Sequence, residues 1–503
     1  MFRRKIMARV AVFLAAILVL AQPALAAGIP FTVEIDGDST PGPTIITQKN
    51  TVSVRVYDPE GADHTVKVGS ILAVKTGPGE YEVENYALKA GTNSLTVSAD
   101  TYKDTYTLIY VDEALPGASY YLQAIPASGK ITAINKTLTL KFPKNNYIAE
   151  NPDAPRIVED QGLRIEVVSF DYDECPTVYH QAVSPVYKIT PESDDLDSDS
   201  ERDEAAVLYP GELTLKYDAN VSSAAADTLT VIYIPYGDGD YDEYDNDFQH
   251  FWDDDWSDRG CVVLGGRVDT AARTVTVPFG KTGFGTYAVF NVNREFYDLL
   301  DVNNNLSWAR NYVLPVWAKG VMEKTGDGEN FGNTPITREE FTAAIVKAMG
   351  IPVENDLQNP FEDVNSSSLA VDEYDDYILT AAKNGIIYGF PTTSGLEFRP
   401  GDYLTREQAA TIIARVAGLK VSDNEAVTTV AMKRAFYDYS QNPDDFGPWA
   451  APFIYAAYKA GFIQGSPVEV EGKTLYAFNP KGNLSRTEAA KLLYVLMKKQ
   501  KRL

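Results

Sequence analysis

Three short segments near the C-terminus repeat one chemical arrangement: Thr337-Arg338-Glu339-Glu340, Thr405-Arg406-Glu407-Gln408 and Ser485-Arg486-Thr487-Glu488. Each sets a hydroxyl residue three positions before a Glu or Gln, at the head of an apolar-periodic run. In such a capping box the hydroxyl accepts from the N3 amide while the Glu or Gln reaches back to the N-cap N–H, so Thr337, Thr405 and Ser485 are expected to open helices. Capping leaves the arginines unexplained. At the first helical position a cation opposes the helix dipole by roughly 0.3–1 kcal/mol, and a surface ion pair returns only ~0–1 kcal/mol. A guanidinium beside helix N-terminal amides is a good binder of carboxylate or phosphate. Arg338, Arg406 and Arg486 therefore point to an anionic ligand.

The elements that position them recur as well. Phe296-Tyr297-Asp298, Phe361-Glu362-Asp363 and Phe436-Tyr437-Asp438 open three units of helical periodicity. Trp308-Ala309 and Trp449-Ala450 lie 12 residues before Gly320 and Gly461, and Gly385 holds the same place in the middle unit. An apolar pair follows each glycine, then Phe331, Phe398 or Phe478, then the box and an amphipathic helix over Phe341–Met349, Ala409–Leu419 or Ala489–Met497. The glycines suit helix C-termini. The phenylalanines, with Trp308 and Trp449, are read first as core, and Asp298, Asp363 and Asp438 can cap a turn.

Upstream the periodicity is two. From Phe31 to about Tyr110, segments such as Thr51–Tyr57, Thr65–Val68, Ser94–Val97 and Thr105–Tyr110 alternate and are rich in Val, Thr and Tyr, which reads as a loosely immunoglobulin-like β-sandwich. A second β-rich domain follows, with strands expected at Thr137–Phe142, Leu163–Phe170, Gly211–Tyr217, Thr228–Ile234, Cys261–Val268, Arg273–Val277 and Thr286–Val292. Acidic runs interrupt it: eight carboxylates between Glu192 and Glu204 and ten between Asp238 and Asp258. These read as solvated loops, or as a calcium site, because Asp238, Asp240 and Asp242 alternate as in an EF-hand opening. That match fails at Glu243, where glycine is needed, and at Gln249, where a bidentate Glu is needed. Phe248, Phe251, Trp252 and Trp256 suggest that part of this loop docks on its own domain or stacks on a sugar.

At 503 residues the chain is too long for one core, and its net charge of −25 excludes nucleic acid as a partner. Arg3, Arg4, Lys5 and Arg9 precede the apolar run Val10–Leu20 and then Ala24-Leu25-Ala26, the pattern of a secretory signal peptide over 1–26. No later run approaches the ~18 apolar residues of a spanning helix, so no transmembrane segment is expected in the mature chain. Cys175 and Cys261 can pair in an exported protein or stay as free thiols, and the sequence leaves both open. His64, His180 and His250 fall in no metalloprotease or serine-hydrolase context, and no phosphate-binding glycine loop occurs. The chain is thus expected to be non-enzymatic, a surface scaffold that needs no cofactor beyond any calcium. The alternative is an anchored polysaccharide-active enzyme or carbohydrate-binding adhesin, because paired carboxylates are a three-dimensional property.

The aromatic-x-Asp openings, Trp-Ala pairs, closing glycines, Phe and Thr/Ser-Arg boxes together resemble the S-layer homology (SLH) family, three times over roughly two fifths of the chain. The resemblance implies an α-helical bundle of three repeats in pseudo-threefold arrangement that attaches exported proteins non-covalently to secondary cell-wall polysaccharide through pyruvate ketal groups. It further implies ligand grooves between repeats, formed by Arg338, Arg406 and Arg486, with Gly320, Gly385 and Gly461 letting a sugar approach and Asp298, Asp363, Asp438, Trp308 and Trp449 nearby. The resulting organisation is a signal peptide (1–26), a β-sandwich (27–114), a second β-rich domain (115–293) and repeats over 294–355, 356–425 and 426–503. The expected protein is a cell-wall or S-layer component of the envelope, self-associating in a surface lattice. The middle repeat has Glu373 where the others have Trp and carries the insert Asn365-Ser366-Ser367-Ser368. The first has Lys324 where the others have Gly389 and Gly465, and Thr334-Pro335 before its box. The Arg338 groove is therefore expected to be the weakest.

Overall fold

The computed structural model describes residues 31–503 except 101, 152–155, 170–179, 194–195, 197–204, 236–261, 281–282, 301–304, 326–329, 355–356 and 365–373. The signal peptide, Cys175, Cys261, the Asp238, Asp240 and Asp242 calcium candidate, the aromatics Phe248 to Trp256, the insert Asn365–Ser368 and Glu373 lie outside the described residues.

The alternating N-terminal segments form two sheets around one core. One sheet has the spatial order Thr32–Ile35, Thr51–Tyr57, Glu80–Ala87, Val74–Gly77; the other runs Thr44–Thr47, Tyr102–Tyr110, Gly91–Ala99, Val66–Val68, Ile71–Leu72. Within Thr51–Tyr57, Val52, Val54 and Val56 turn to the core while Arg55 and Tyr57 face water, as a period of two dictates. Val68, Leu95, Val97 and Leu108 complete the interior.

The second β unit repeats this plan on a larger scale. A seven-stranded sheet is ordered Ser119–Leu122, Gly162–Val168, Val186–Glu192, Gly285–Val292, Leu229–Pro235, Val262–Gly265, with His180–Ala182 also on Gly285–Val292. It shares a core with a five-stranded sheet ordered Lys130–Ala133, Leu138–Lys141, Gly211–Lys216, Thr274–Phe279, Arg267–Asp269. Tyr187, Phe279 and Tyr287 are the largest side chains sealed between them.

From Phe296 onward the chain is helical around a single core that reaches from Val292 to Met497. Phe331, Phe398 and Phe478 are at most 1% exposed and belong to it, whereas Trp308 and Trp449 are 41% and 44% exposed. The expectation that the two tryptophans are core is thus corrected. The helix Glu425–Ala435 packs on Ala451–Lys459 of the third repeat, yet its first residue falls on the 356–425 side of the expected boundary.

The helical region docks on the second β unit. Lys319 is buried and its ammonium donates to the carbonyls of Leu229 and, at 2.7 Å, Gly266. Beside it, the Tyr494 hydroxyl donates to Asp227 at 2.8 Å and Lys498 pairs with the same carboxylate.

Candidate functional site

The three boxes fold as capping boxes. Thr337, Thr405 and Ser485 each accept from the N3 amide while Glu340, Gln408 and Glu488 accept from the N-cap N–H at 3.1 Å. The helices run Arg338–Met349, Arg406–Val416 and Arg486–Lys499, so the second stops short of the expected Leu419, where Gly418 takes φ +60°. Replacing Thr405 by Ala is expected to cost about 0.5–2 kcal/mol, read as a lowered midpoint in urea unfolding of the full chain; an unchanged midpoint would remove the cap from the account of stability.

The residues just before each helix interlock in a ring. Ile336 N–H donates to Leu484 O at 2.9 Å, Leu404 N–H to Ile336 O at 2.9 Å and Leu484 N–H to Leu404 O at 2.8 Å. The first helical amides are taken by the neighbouring repeat: Arg338 N–H by Asp402 O, Arg406 N–H by Gly482 O and Arg486 N–H by Thr334 O. Amides that the sequence reading left open for an anion therefore hold repeat to repeat.

The guanidinium groups cross the same joints. Arg338 Nε donates to Phe398 O at 2.9 Å and its guanidinium lies 4.7 Å from both the Phe390 and Phe398 rings. Arg406 Nε donates to Phe478 O at 2.8 Å, and Arg486 lies 5.3 Å from the Phe331 ring and donates to Glu323 O. Arg338 and Arg486 are only 5% and 2% exposed. The arginines were expected to offer forks to an anionic ligand; the structure sandwiches the Arg338 and Arg486 side chains between repeats, where rings and carbonyls compensate lost water.

Their charge partners differ. In Glu488 and Glu340 one carboxylate oxygen closes the cap and the other takes an arginine of another repeat, Arg406 and Arg486 respectively. The third counterpart is Gln408, whose oxygen is spent on the Thr405 N–H, leaving only an amide nitrogen, a donor. Among the described residues Arg338 accordingly makes no ion pair. Burial holds its guanidinium down, to about 10, with Asp402 and Asp363 pulling it up and Arg399 adding to the depression.

The remaining candidates have internal duties. Both oxygens of Asp298 accept from the backbone of Phe331 and Gly332 at 3.0 and 2.9 Å; Asp363 does the same for Phe398 and Arg399 at 2.7 Å, and Asp438 for Phe478 and Asn479 at 3.0 and 2.7 Å. Asp363 and Asp438 thereby fix the segments whose carbonyls Arg338 and Arg406 grip, and Asp298 fixes the segment whose Phe331 ring meets Arg486. Gly320, Gly385 and Gly461 take φ of +66, +65 and +74° and close their helices, each N–H returning to the carbonyl three residues back. Gly320 also faces the β region, since a Cβ there would sit 3.1 Å from Val263. Trp308 lies near Lys491, 5.6 Å from its ring, and Trp449 stands over Gly447, whose N–H donates to the buried Glu407 at 2.8 Å. Sequence reasoning missed Glu407; its pairing with Lys481 becomes visible only in space. A groove beside Arg486 and Glu340 is walled by Glu323, Lys324, Lys347 and Tyr374. Among the described residues no cluster of three potential metal ligands occurs, and no helix is long and apolar enough to cross a membrane.

Comparison with known proteins gives this region a family. The S-layer homology domain model matches residues 360–410 and 444–490. The chain is 31% identical over 239 residues to an amylopullulanase of Thermoanaerobacterium thermosulfurigenes, covering 47% of this chain and 11% of that protein. It is 31% identical over 203 residues to the exoglucanase XynX of Acetivibrio thermocellus, covering 40% and 16%. It is 31% identical over 152 residues to the S-layer protein sap of Bacillus anthracis, covering 30% and 15%. The chain thus spans less than a fifth of the length of each of these relatives. The expectation of a non-enzymatic chain is corrected by these matches, since two of the three are carbohydrate-active enzymes. The ring of repeats, the capped helices and the matched segments agree: this chain carries S-layer homology domains and is an SLH-containing protein of the secreted cell envelope.

Proposed function

We propose that the three repeats form a pseudo-threefold anchor for a carboxylate-bearing wall polysaccharide, such as a pyruvylated one, and that the anchor holds a polysaccharide-active β region at the cell surface. The observation that carries the anchor is the inequality of the arginines. Arg406 and Arg486 are already neutralised by Glu488 and Glu340. Arg338 is a buried cation with no carboxylate of its own among the described residues, flanked by Phe390 and Phe398. A buried charge strongly favours acquiring a partner, so the groove at Arg338 has the most to gain from a pyruvyl carboxylate. This reverses the order expected from motif quality alone. The β-region reading rests on the amylopullulanase and exoglucanase matches; the S-layer protein match favours a lattice protein as a second reading.

Co-sedimentation of the full chain with wall sacculi, before and after removal of pyruvyl groups, tests the anchor. Gln408→Glu keeps the capping box and installs the carboxylate that the other two joints carry. It is expected to weaken pelleting at least tenfold, as is Arg338→Met, while removal of pyruvyl groups abolishes it. Pelleting of Gln408→Glu equal to wild type would show that Arg338 is not the ligand's cation. Release of reducing ends from starch, β-glucan or xylan tests the β region; inactivity on all three together with calcium-dependent self-assembly would favour the lattice reading.

A further inference from the structure

The two β units meet along a stitched seam. Asn50 N–H donates to Ser119 O at 3.1 Å, Ser119 N–H to Gln48 O at 3.2 Å, and the Asn50 side-chain amide exchanges bonds of 2.8 and 2.6 Å with the Tyr121 backbone. Beside this seam opens a cleft of about 720 Å³, within the size range of small-molecule sites, which favour domain interfaces. Its walls combine rings with polar ends: Tyr110, Tyr120 and Tyr121 beside Asp112, Gln123 and Lys136.

One rim is strained. Ile134, Asn135 and Lys136 take φ of 49, 51 and 61° in succession, a left-handed run that L residues avoid and a β-branched residue most of all. Ile134 is anchored in the core, and the Asp112 carboxylate holds the run by accepting from Asn135 N–H at 2.8 Å and from the Tyr110 hydroxyl at 3.0 Å. The result keeps Asn135 and Lys136 exposed at the cleft mouth. Backbone strain of this kind collects at binding sites because the surrounding structure maintains it there. Tyr120 is half-buried, and its hydroxyl is raised by burial first and then by the Asp112 charge. It has no hydrogen-bond partner among the described residues.

We propose that this seam cleft binds an uncharged oligosaccharide. A pyranose offers an apolar C–H face, which suits a tyrosine ring, and a rim of hydroxyls that donate and accept, which suit a phenol, a carboxylate, an amide and an ammonium together. The Asp112 carboxylate and the net charge of −25 disfavour an acidic glycan, so the ligand differs in charge from the polymer assigned to the anchor. The inference rests on the reading of the β region as polysaccharide-directed and adds to it a place and a ligand class.

Isothermal titration of the full chain with cellohexaose, xylohexaose and maltohexaose tests it. At least one is expected to bind with a Kd below about 1 mM. Tyr120→Ala combined with the exposed Gln123→Ala should weaken that binding tenfold or more while leaving pelleting with sacculi unchanged. Tyr120→Phe, which keeps the ring and removes only the hydroxyl, guards against loss of folding and should weaken binding less. Undiminished binding by the double variant overturns the cleft assignment and leaves a polysaccharide-directed β region standing. No binding of any of the three by the wild-type chain overturns both.

Discussion

Arg486→Ala is expected to destabilise the repeat bundle by about 3–5 kcal/mol, the cost of breaking a buried ion pair from one side. The Arg486 side chain is 3% exposed and that of its partner Glu340 20%. Removal withdraws the charge facing Glu340, the donor to Glu323 O and the cation over Phe331 at once. Residual water at Glu340 sets the result toward the lower end. Adding Glu340→Gln should recover a large part, because the glutamine still closes the cap, as Gln408 does in the middle repeat, and no uncompensated charge is left. Chemical denaturation of the two variants measures both effects. A single-variant loss under about 1 kcal/mol, the range of surface pairs, would mean that the joint is not held by this arginine. The same numbers govern any binding experiment on Arg486, since lost pelleting by that variant can arise from a loosened ring.

The second large effect is a pH dependence at the seam between the anchor and the second β unit. Burial lowers the Lys319 ammonium to about 7; Asp227 pulls it up and Lys498 adds to the depression. In the unfolded chain the ordinary value is 10.5. Between about 7 and 10.5 the unfolded chain holds the proton that the folded chain has released, so stability rises with pH across that window and is flat below it. The full window corresponds to on the order of 4–5 kcal/mol. Lys319→Met removes the titration and leaves the carbonyls of Leu229 and Gly266 without their donor, a loss of about 1–3 kcal/mol for each buried acceptor. The stability gap between wild type and Lys319→Met, measured at pH 7 and pH 9.5, is expected to widen in favour of wild type. A gap that stays constant would show that Lys319 keeps its proton throughout.

Much of the fold was legible where a pattern closes within a few residues. Thr51–Tyr57 alternates because one face of each strand is buried, and Gly211–Tyr217 shows the same signal; Thr286–Val292 is legible instead as an apolar run, because Tyr287 and Val289 face one core and Ala288 and Phe290 another. The strand Val186–Glu192 was not read, because Pro191 and the acidic run after it mimic a loop; in space it is a central strand between Gly162–Val168 and Gly285–Val292. The hairpin Ser466–Val470 with Lys473–Ala477 was missed for a similar reason, being largely exposed and carrying Pro467. Trp308 and Trp449 were misjudged as core because the type of an aromatic side chain does not reveal which way its backbone turns it.

At the joints between repeats, the sequence by itself determined the helix starts, their glycine stops and the presence of an arginine at each. These depend on bonds between residues no more than a few positions apart. Only the tertiary structure decided what each arginine does. Arg406 meets Glu488 across 82 residues and Arg486 meets Glu340 across 146, while Arg338 falls to the joint whose capping residue is a neutral glutamine. Which of three near-identical boxes keeps an unneutralised cation depends on the order in which the repeats close their ring. That order is set by backbone bonds among Ile336, Leu404 and Leu484, far apart in the chain.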